Sequence, residues 1–306
     1  MGRWLARRIG ASLAILLGVT VVTFLLAHLL PADPAQIKLG RAATPESLAS
    51  LRHELGLDRP LPVQYARYLG GILTGELGRS IMQGTSVGAL IASRLPATLL
   101  LMAGAIFFEL LIGIPAGIVA ATRRGRPLDR GIMVLSFVGV SAPQFVVGLV
   151  LLYLFAYLLG WFPLGGFGGL SHLVLPALTL GIAGGGWYSR MMRSSMVEVL
   201  RLDYIRTARA KGLAETRVIL GHALRNAVLP IIAMIGLDIG IFMSGAVVVE
   251  SVYGWPGIGQ LAWDAVQKRD VPIIMGVTLT AAAFIVLGNL LADLLTPLID
   301  PRIRLR

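Results

Sequence analysis

Few residues in this chain have the types and spacing that chemistry requires. Lys38, Lys211 and Lys268 all lack the Gly-Lys-Ser/Thr context at a helix start that cradles a phosphate on backbone N–H groups. His28, His53, His172 and His222 show no metal-ligand spacing, and the absence of cysteine excludes thiolate sites and disulfides. No nucleophile motif is present, so an enzyme is not expected. Two other features need an explanation. Glu109, Asp238 and Asp293 lie inside apolar runs, where an ionisable group costs on the order of 3 kcal/mol and must face protein, water or a partner. The other is a polar, basic, helix-forming stretch, IRTARAKGLAETRVILGHALRNAVLP over residues 205–230, set between two long apolar runs.

The elements that position these residues are membrane spans. Only 14% of residues are charged, against about 25% in a soluble domain, and the mean hydropathy is +0.79. The net charge of +11 falls in the gaps between apolar runs rather than in one patch, so the expected partner is the lipid bilayer and not nucleic acid. A span needs about 20 apolar residues. Six such runs are found, near residues 9–30, 96–121, 131–160, 173–188, 227–249 and 273–295, which predicts an all-α polytopic membrane protein. The fourth run is short and glycine-rich. The first follows Arg3, Arg7 and Arg8 but is longer than a signal-peptide core, and reads as a retained anchor. With the amino terminus inside, the short connections carry eighteen Lys and Arg inside and two outside, so both termini are expected to be cytoplasmic.

Residues 31–95 then form an outside segment. Leu48, Leu51 and Leu55, followed after Pro60 and Pro62 by Tyr65, Tyr68 and Leu69, predict two short helices joined by a proline turn. No internal repeat is visible. In the basic stretch, Met196 to Lys211 are helix formers and Gly212 stands where a left-handed helix terminus belongs. A second helical run starts near Glu215, with Val218, Ile219 and Ala223 on one face and Arg217 and Arg225 elsewhere. Residues 190–226 are thus expected to form a helix–turn–helix in the cytosol. Read from residues alone, the stretch is either a working surface or a basic loop that only enforces topology.

The same residues resemble the Glu-Ala-Ala loop of ABC importer permeases. Ala208 matches the second Ala, Gly212 the Gly and Leu224 the Leu, while Arg206, Thr207, His222 and Arg225 depart from the general pattern. The form from Tyr204 to Leu213, with His222 to Asn226, is similar to the dipeptide and oligopeptide (peptide/nickel) family, in its first-permease, B-type subunit. Ala214 stands where that family often has Ser. LPADP (30–34), LGLDRPLPVQYARYL (55–69), GELGRS (75–80), SAPQFVVG (141–148), VVVESVYGWPGIGQL (247–261) and DPRIR (300–304) extend the resemblance along nearly the whole chain.

The resemblance implies a type I ABC importer permease in the inner membrane, a single transmembrane permease domain over 1–306. It would comprise a first span at 9–30, a periplasmic segment at 31–95, a five-span core at 96–296 and the coupling loop at 190–226. Expected partners are a second permease, two cytosolic ATPases that bind ATP and Mg, and an extracytoplasmic binding protein; no cofactor is expected in this chain. Arg206, Thr207, Ala208, Arg209, Lys211, Gly212, Leu213 and Glu215 would couple it to an ATPase, with Ala208 letting helix and groove approach and the cations pairing with acidic rim groups. Asp238 and Met243 are expected to line the pathway, Asp238 attracting a cationic group such as a peptide amino terminus, or being buried against the second permease. Glu250, Tyr253 and Trp255 are expected at an outer gate or a contact with the binding protein, and Trp255 and Trp263 also fit interface anchors. Asp293 is expected to be paired or solvated near the cytosolic end; Glu109 has no assigned role. Di- or oligopeptides are the expected cargo, with nickel complexes, glutathione or oligosaccharides as alternatives. Two other classes stay open: a proton-coupled secondary transporter using Asp238 or Glu109, and a scaffold acting through residues 31–95.

Overall fold

The computed structural model describes residues 2–29, 34–40, 43–243 and 245–299. Among these the chain is helical, with one isolated β-bridge between Arg79 and Ser86. The helices are α1 (Gly2–Leu29), α2 (Pro34–Leu39), α3 (Pro45–Leu55), α4 (Leu61–Thr74), α5 (Val87–Thr122), α6 (Pro127–Ser141) and α7 (Gln144–Leu151), which continues as a π-helical segment, Leu152–Leu158. Next come α8 (Leu170–Val199), α9 (Asp203–Ala210) and α10 (Glu215–Arg217), a π-helical turn at Val218–Ala223, and α11 (Leu224–Ala227). The chain continues with α12 (Leu229–Met243), α13 (Val247–Tyr253), α14 (Ile258–Lys268) and α15 (Val271–Ile299). LPADP apart from Pro34, DPRIR, and the side chain of Asp293 lie outside the described residues.

Four helices are long and apolar enough to cross a membrane, or six spans exist if each of two bent pairs counts as one. The third run, expected as one span over 131–160, is broken: α6 and α7 meet at 103° around Ala142 and Pro143. Proline has no N–H to give and excludes the α conformation from the residue before it, and Ala142 accordingly is extended, at ψ 129°. The fifth run bends by 48° just before Leu229 and Pro230 and stops at Met243 rather than 249. The short, glycine-rich fourth run is instead the 30-residue helix α8.

The chain forms two compact units. The first comprises the described residues of Met1–Thr98, Met243–Val247 and Pro256–Val286. Its core packs Val87 and Ile91 against Ile258, Leu261, Ala265 and Ile273. Asp270, buried just before α15, accepts from Ser80 Oγ at 2.5 Å and from the N–H groups of Ile81 and Met82 at 3.2 Å, which fixes the entry to α5. The expected proline turn separates α3 from α4, and Tyr65 and Tyr68 lie against Phe24 of α1, with ring centroids 5.3 and 6.1 Å away.

The second unit comprises the described residues of Leu99–Phe242, Val248–Trp255 and Leu287–Arg306, and α8 is its centre. A Cβ placed on Gly113 or Gly117 of α5 would run into Tyr188 and Ser189, or Ser189 and Met192, of α8. From the other side, Gly186 of α8 faces the Ser136 carbonyl of α6, and Gly139 of α6 faces the Ile182 carbonyl. In lipid there is no hydrophobic drive for helices to associate, so this close backbone approach is what dispersion attraction requires. Outward, Val134, Leu135, Phe137 and Val138 are exposed on α6, as befits a surface meeting acyl chains.

At Gly113 even a methyl group overpacks the interface, so Gly113→Ala is expected to cost about 1–3 kcal/mol. Gly131 on α6 has open space around it, and Gly131→Ala is expected to be neutral or stabilising by up to about 1 kcal/mol. Thermal unfolding of the two variants in the same detergent tests the contrast.

Candidate functional site

The basic stretch folds as a hairpin with one inner and one outer face. The expected continuous helix from Met196 to Lys211 is interrupted, because α8 ends at Val199 and the chain turns through Leu200 to Leu202 before α9. That turn carries Ile205 and Ala208 of α9 into a core shared with Met192, Met196 and Val199 of α8 and with Val218 and Ala223 of the return segment. Arg206, Thr207, Arg209, Ala210 and Lys211 are left outside. Lys211 and Gly212 donate N–H groups to the Thr207 and Arg209 carbonyls at 3.0 and 2.9 Å. Gly212 has φ +74°, a left-handed conformation in which a side chain costs about 1 kcal/mol, and this is what reverses the chain. Leu213 is half-buried against the same core.

Polar ties set the hairpin's geometry. The Arg209 guanidinium grips Glu215 through Nη2 to Oε1 at 2.6 Å and Nε to Oε2 at 3.1 Å. Arg206 pairs with Asp203 at 3.1 Å. Asn226 Nδ2 donates to the Tyr204 hydroxyl at 2.7 Å, which itself points to the His222 carbonyl at 3.5 Å. Tyr204, His222 and Asn226, which carry the peptide-family form of the loop, are thus three corners of one link. At the root of the hairpin, Asp129 accepts both arms of Arg193 at 2.6 and 2.7 Å and the Gly125 N–H at 2.8 Å. Neither Asp129 nor Arg193 had been singled out in the sequence. The visible signal was Pro127 followed by an acid in a first helical turn, which looks like ordinary helix initiation.

Ala208 is only 6% exposed, so within this chain its small size serves packing of α9 in the core it shares with the return segment. Arg206 and Arg209 already have intramolecular carboxylates. Such exposed pairs stabilise little, but they hold the side chains in place while Thr207, Ala210 and Lys211 complete the outer face.

A second cluster joins three spans. Tyr188 of α8 donates its hydroxyl to Asp238 Oδ2 of α12, and the Glu109 carboxyl of α5 lies beside that of Asp238. Glu109 is 2% exposed and its Oε2 has no hydrogen-bond partner. Gly184 makes the room, since a Cβ there would collide with the Glu109 carboxyl. Glu109, unassigned from sequence, therefore belongs with Asp238; their rotation about separate helices is not visible in a linear sequence. Asp238 is half-buried and engaged with Tyr188, and Met243 is buried, so neither side chain is freely presented within this chain.

Glu250, Tyr253 and Trp255 are all buried, which removes them as a contact surface for a binding protein, and Trp255 as an interface anchor. They hold the 247–255 segment from within. The Tyr253 hydroxyl meets Thr179 Oγ1 at 2.8 Å and donates to the Gly148 carbonyl at 3.2 Å, Gly166 N–H donates to the Tyr253 carbonyl at 2.8 Å, and Trp255 sits edge-on to Phe167 at 5.0 Å. Trp263 is the exposed one, at 49%. Among the described residues there is no cluster of three or more potential metal ligands.

Removing the hydroxyl by Tyr188→Phe takes one of its donors from Asp238 and is expected to cost about 1–3 kcal/mol, whereas Asp238→Asn keeps an acceptor and is expected to cost less. Melting temperatures in detergent check the order. For the hairpin, Ala208→Trp is expected to lower stability by more than about 2 kcal/mol through overpacking, while exposed Ala210→Trp leaves the melting temperature within a degree or two.

Similarity to known proteins places this geometry. Residues 113–305 match the family described as "Binding-protein-dependent transport system inner membrane component", and residues 1–102 match its N-terminal companion. The chain is 42% identical to the oligopeptide transport system permease protein AppB of Bacillus subtilis, across 99% of each chain. It is 39% identical to the di/tripeptide transport system permease protein DppB of Pseudomonas aeruginosa, across 98% of each, and 42% identical to the glutathione transport system permease protein GsiC of Salmonella typhimurium, across 99% of each. Inward-facing structures of the MetNI methionine ABC transporter share the fold, with a TM-score of 0.55 at 16% identity over 69% of this chain and 96% of that one. By the family match and by its end-to-end similarity to these relatives, this chain belongs to the binding-protein-dependent transport system inner membrane components, the permease subunits of ABC importers.

Proposed function

We propose that this permease forms half of the pathway by which di- or oligopeptides enter the cell, as one domain over residues 1–306 with both termini in the cytosol. The second half is a distinct permease chain. Two cytosolic ATPases bind ATP and Mg, and a binding protein delivers the peptide from outside. Relatives named for oligopeptide and di/tripeptide transport, similar end to end, support the cargo. A relative named for glutathione transport favours a second cargo of closely related chemistry, a γ-linked tripeptide.

The observation that carries coupling is the hairpin's division of labour. Its inner face is continuous with the side chains of α8 through Ile205, Met192 and Met196, and its outer face offers Arg206, Thr207, Arg209, Ala210 and Lys211 to a partner. A rigid element seated in an ATPase groove passes closure of the ATPases to the spans as a rigid-body motion. Gly212, Leu213 and Glu215 set the turn that keeps the outer face outward. In this reading Asp238 and Met243 lie near the pathway in the assembled pair of permeases, and Glu250, Tyr253 and Trp255 support an outer gate from behind.

The test is reconstitution of the chain with its partner permease, ATPases and binding protein in proteoliposomes. ATP-dependent uptake of labelled di- and tripeptides is expected, and Ala210→Trp is expected to reduce it at least tenfold with the complex still folded. Uptake that proceeds without ATP, or is unaffected by Ala210→Trp, overturns the coupling assignment; uptake of glutathione but of no other peptide overturns the broader cargo.

A further inference from the structure

A cavity of about 790 Å³ in the first unit takes no part in the function above. It lies where the ends of two apolar helices, α1 and α15, meet the polar segment of α3 and α4. Its walls differ by side. Phe24 and Ala27 of α1 with Pro272 and Met275 of α15 give it apolar lining from the spans, while Arg52 of α3, Gln64 and Arg67 of α4, and Arg79 supply polar and basic lining. Asp58 is the one carboxylate among its lining residues, and it is bound by His53 at 2.7 Å, which holds Asp58 below the ordinary carboxylate range. Neither Arg67 nor Arg79 has an ion pair among the described residues.

Two further observations define what fits. The buried hydroxyl of Tyr68, on the cavity wall, has no hydrogen-bond partner. Burial, with a smaller contribution from Tyr65, pushes its pKa up to about 12, so at neutral pH it is a donor. A second cavity, of about 360 Å³, shares Ala27, Val271 and Met275 with the first and runs on between α1 and α15 past Thr23, Leu26, Ile274 and Thr278. A basic chamber with a neutral donor thus adjoins, across Ala27, Val271 and Met275, an apolar groove along two membrane-crossing helices. A soluble anion would fill only the chamber, and a neutral lipid would leave Arg67 and Arg79 unanswered.

We infer that this paired cavity is a binding site for one anionic glycerophospholipid, its phosphate headgroup among Arg67, Arg79 and Tyr68 and an acyl chain in the groove between α1 and α15. Charge complementarity selects the headgroup, because a phosphodiester accepts charge-assisted hydrogen bonds from guanidinium groups. Burial of the chain at about 0.8 kcal/mol per CH₂ is largely offset in a bilayer, where that chain is already in hydrocarbon, so the headgroup decides which lipid stays. Bound in this way, the lipid fills the seam between α1 and the α3–α4 segment, which meet through Phe24, Thr20, the two tyrosines and the His28–Gln64 hydrogen bond at 3.0 Å.

The test is native mass spectrometry of the full-length permease in its purified complex, delipidated and titrated with phosphatidylglycerol, phosphatidylethanolamine or inorganic phosphate. One phosphatidylglycerol is expected to be retained at least tenfold more tightly than phosphatidylethanolamine, with no saturable binding of inorganic phosphate. The exposed double variant Arg67→Gln/Arg79→Gln is expected to abolish that preference, and Leu26→Trp, which fills the groove, to weaken retention while leaving the complex intact. Equal retention of the two lipids, a preference that survives the double variant, saturable phosphate binding, or crosslinking of the cavity to a peptide or binding protein in place of lipid each overturns the assignment.

Discussion

Everything in the second unit depends on how closely α8 can be approached. Gly113 and Gly117 on α5, Gly139 on α6, and Gly184 to Gly186 on α8 itself remove the side chains that would keep helix backbones apart. Within a bilayer the gain is dispersion attraction over a larger contact, since apolar burial alone distinguishes poorly between a helix and a lipid tail. The same approach admits the functional groups. Glu109 reaches Asp238 only because Gly184 has no side chain, and the Ser136 and Ser189 hydroxyls meet at 2.5 Å because their helices nearly touch. Close packing and buried polarity are therefore one arrangement, in which the polar atoms find partners that lipid could not supply.

The spans were legible because a 20-residue apolar run has few other interpretations, and the α3–α4 pair because its prolines and leucines mark it locally. The family resemblance was legible from the basic loop, where an unusual composition sits at a fixed spacing. What stayed hidden was rotational. Ala208 is compatible with either face of a helix, and only the burial of Ile205 one turn earlier shows which way it points. Tyr253 and Trp255 in an aromatic, glycine-rich loop look like interface anchors until their contacts with Thr179, Gly148 and Phe167 place them inside. Glycines in the fourth run read as weak hydrophobicity, when their role is to let neighbouring helices in. The break at Ala142 and Pro143 could have been read as a mild kink, because the sequence gives the site of a bend but not its angle.

The functional surface follows from that same hub. Placing the hairpin's apolar residues against α8 leaves its cations outside, and the Arg209–Glu215 and Tyr204–Asn226 links keep the two arms from splaying. The Asp129–Arg193 pair anchors the root, joining the first turn of α6 to the last turns of α8. In the proposed coupling, specificity for a partner rests on the few outer residues, while the inner ones are constrained by the fold.

The 30 residues of α8 span about 45 Å, and its contacts run without a gap from the hairpin through Met196 and Met192 to Tyr188, where the hydroxyl meets Asp238. Close-packed interiors have low compressibility, so this column behaves as a strut rather than a spring. In the coupling proposed above, force applied to the outer face of α9 is not absorbed in side-chain rearrangement along the way; it arrives at the level of the acid cluster as displacement, and the stiffness of one helix sets how much of each stroke is kept.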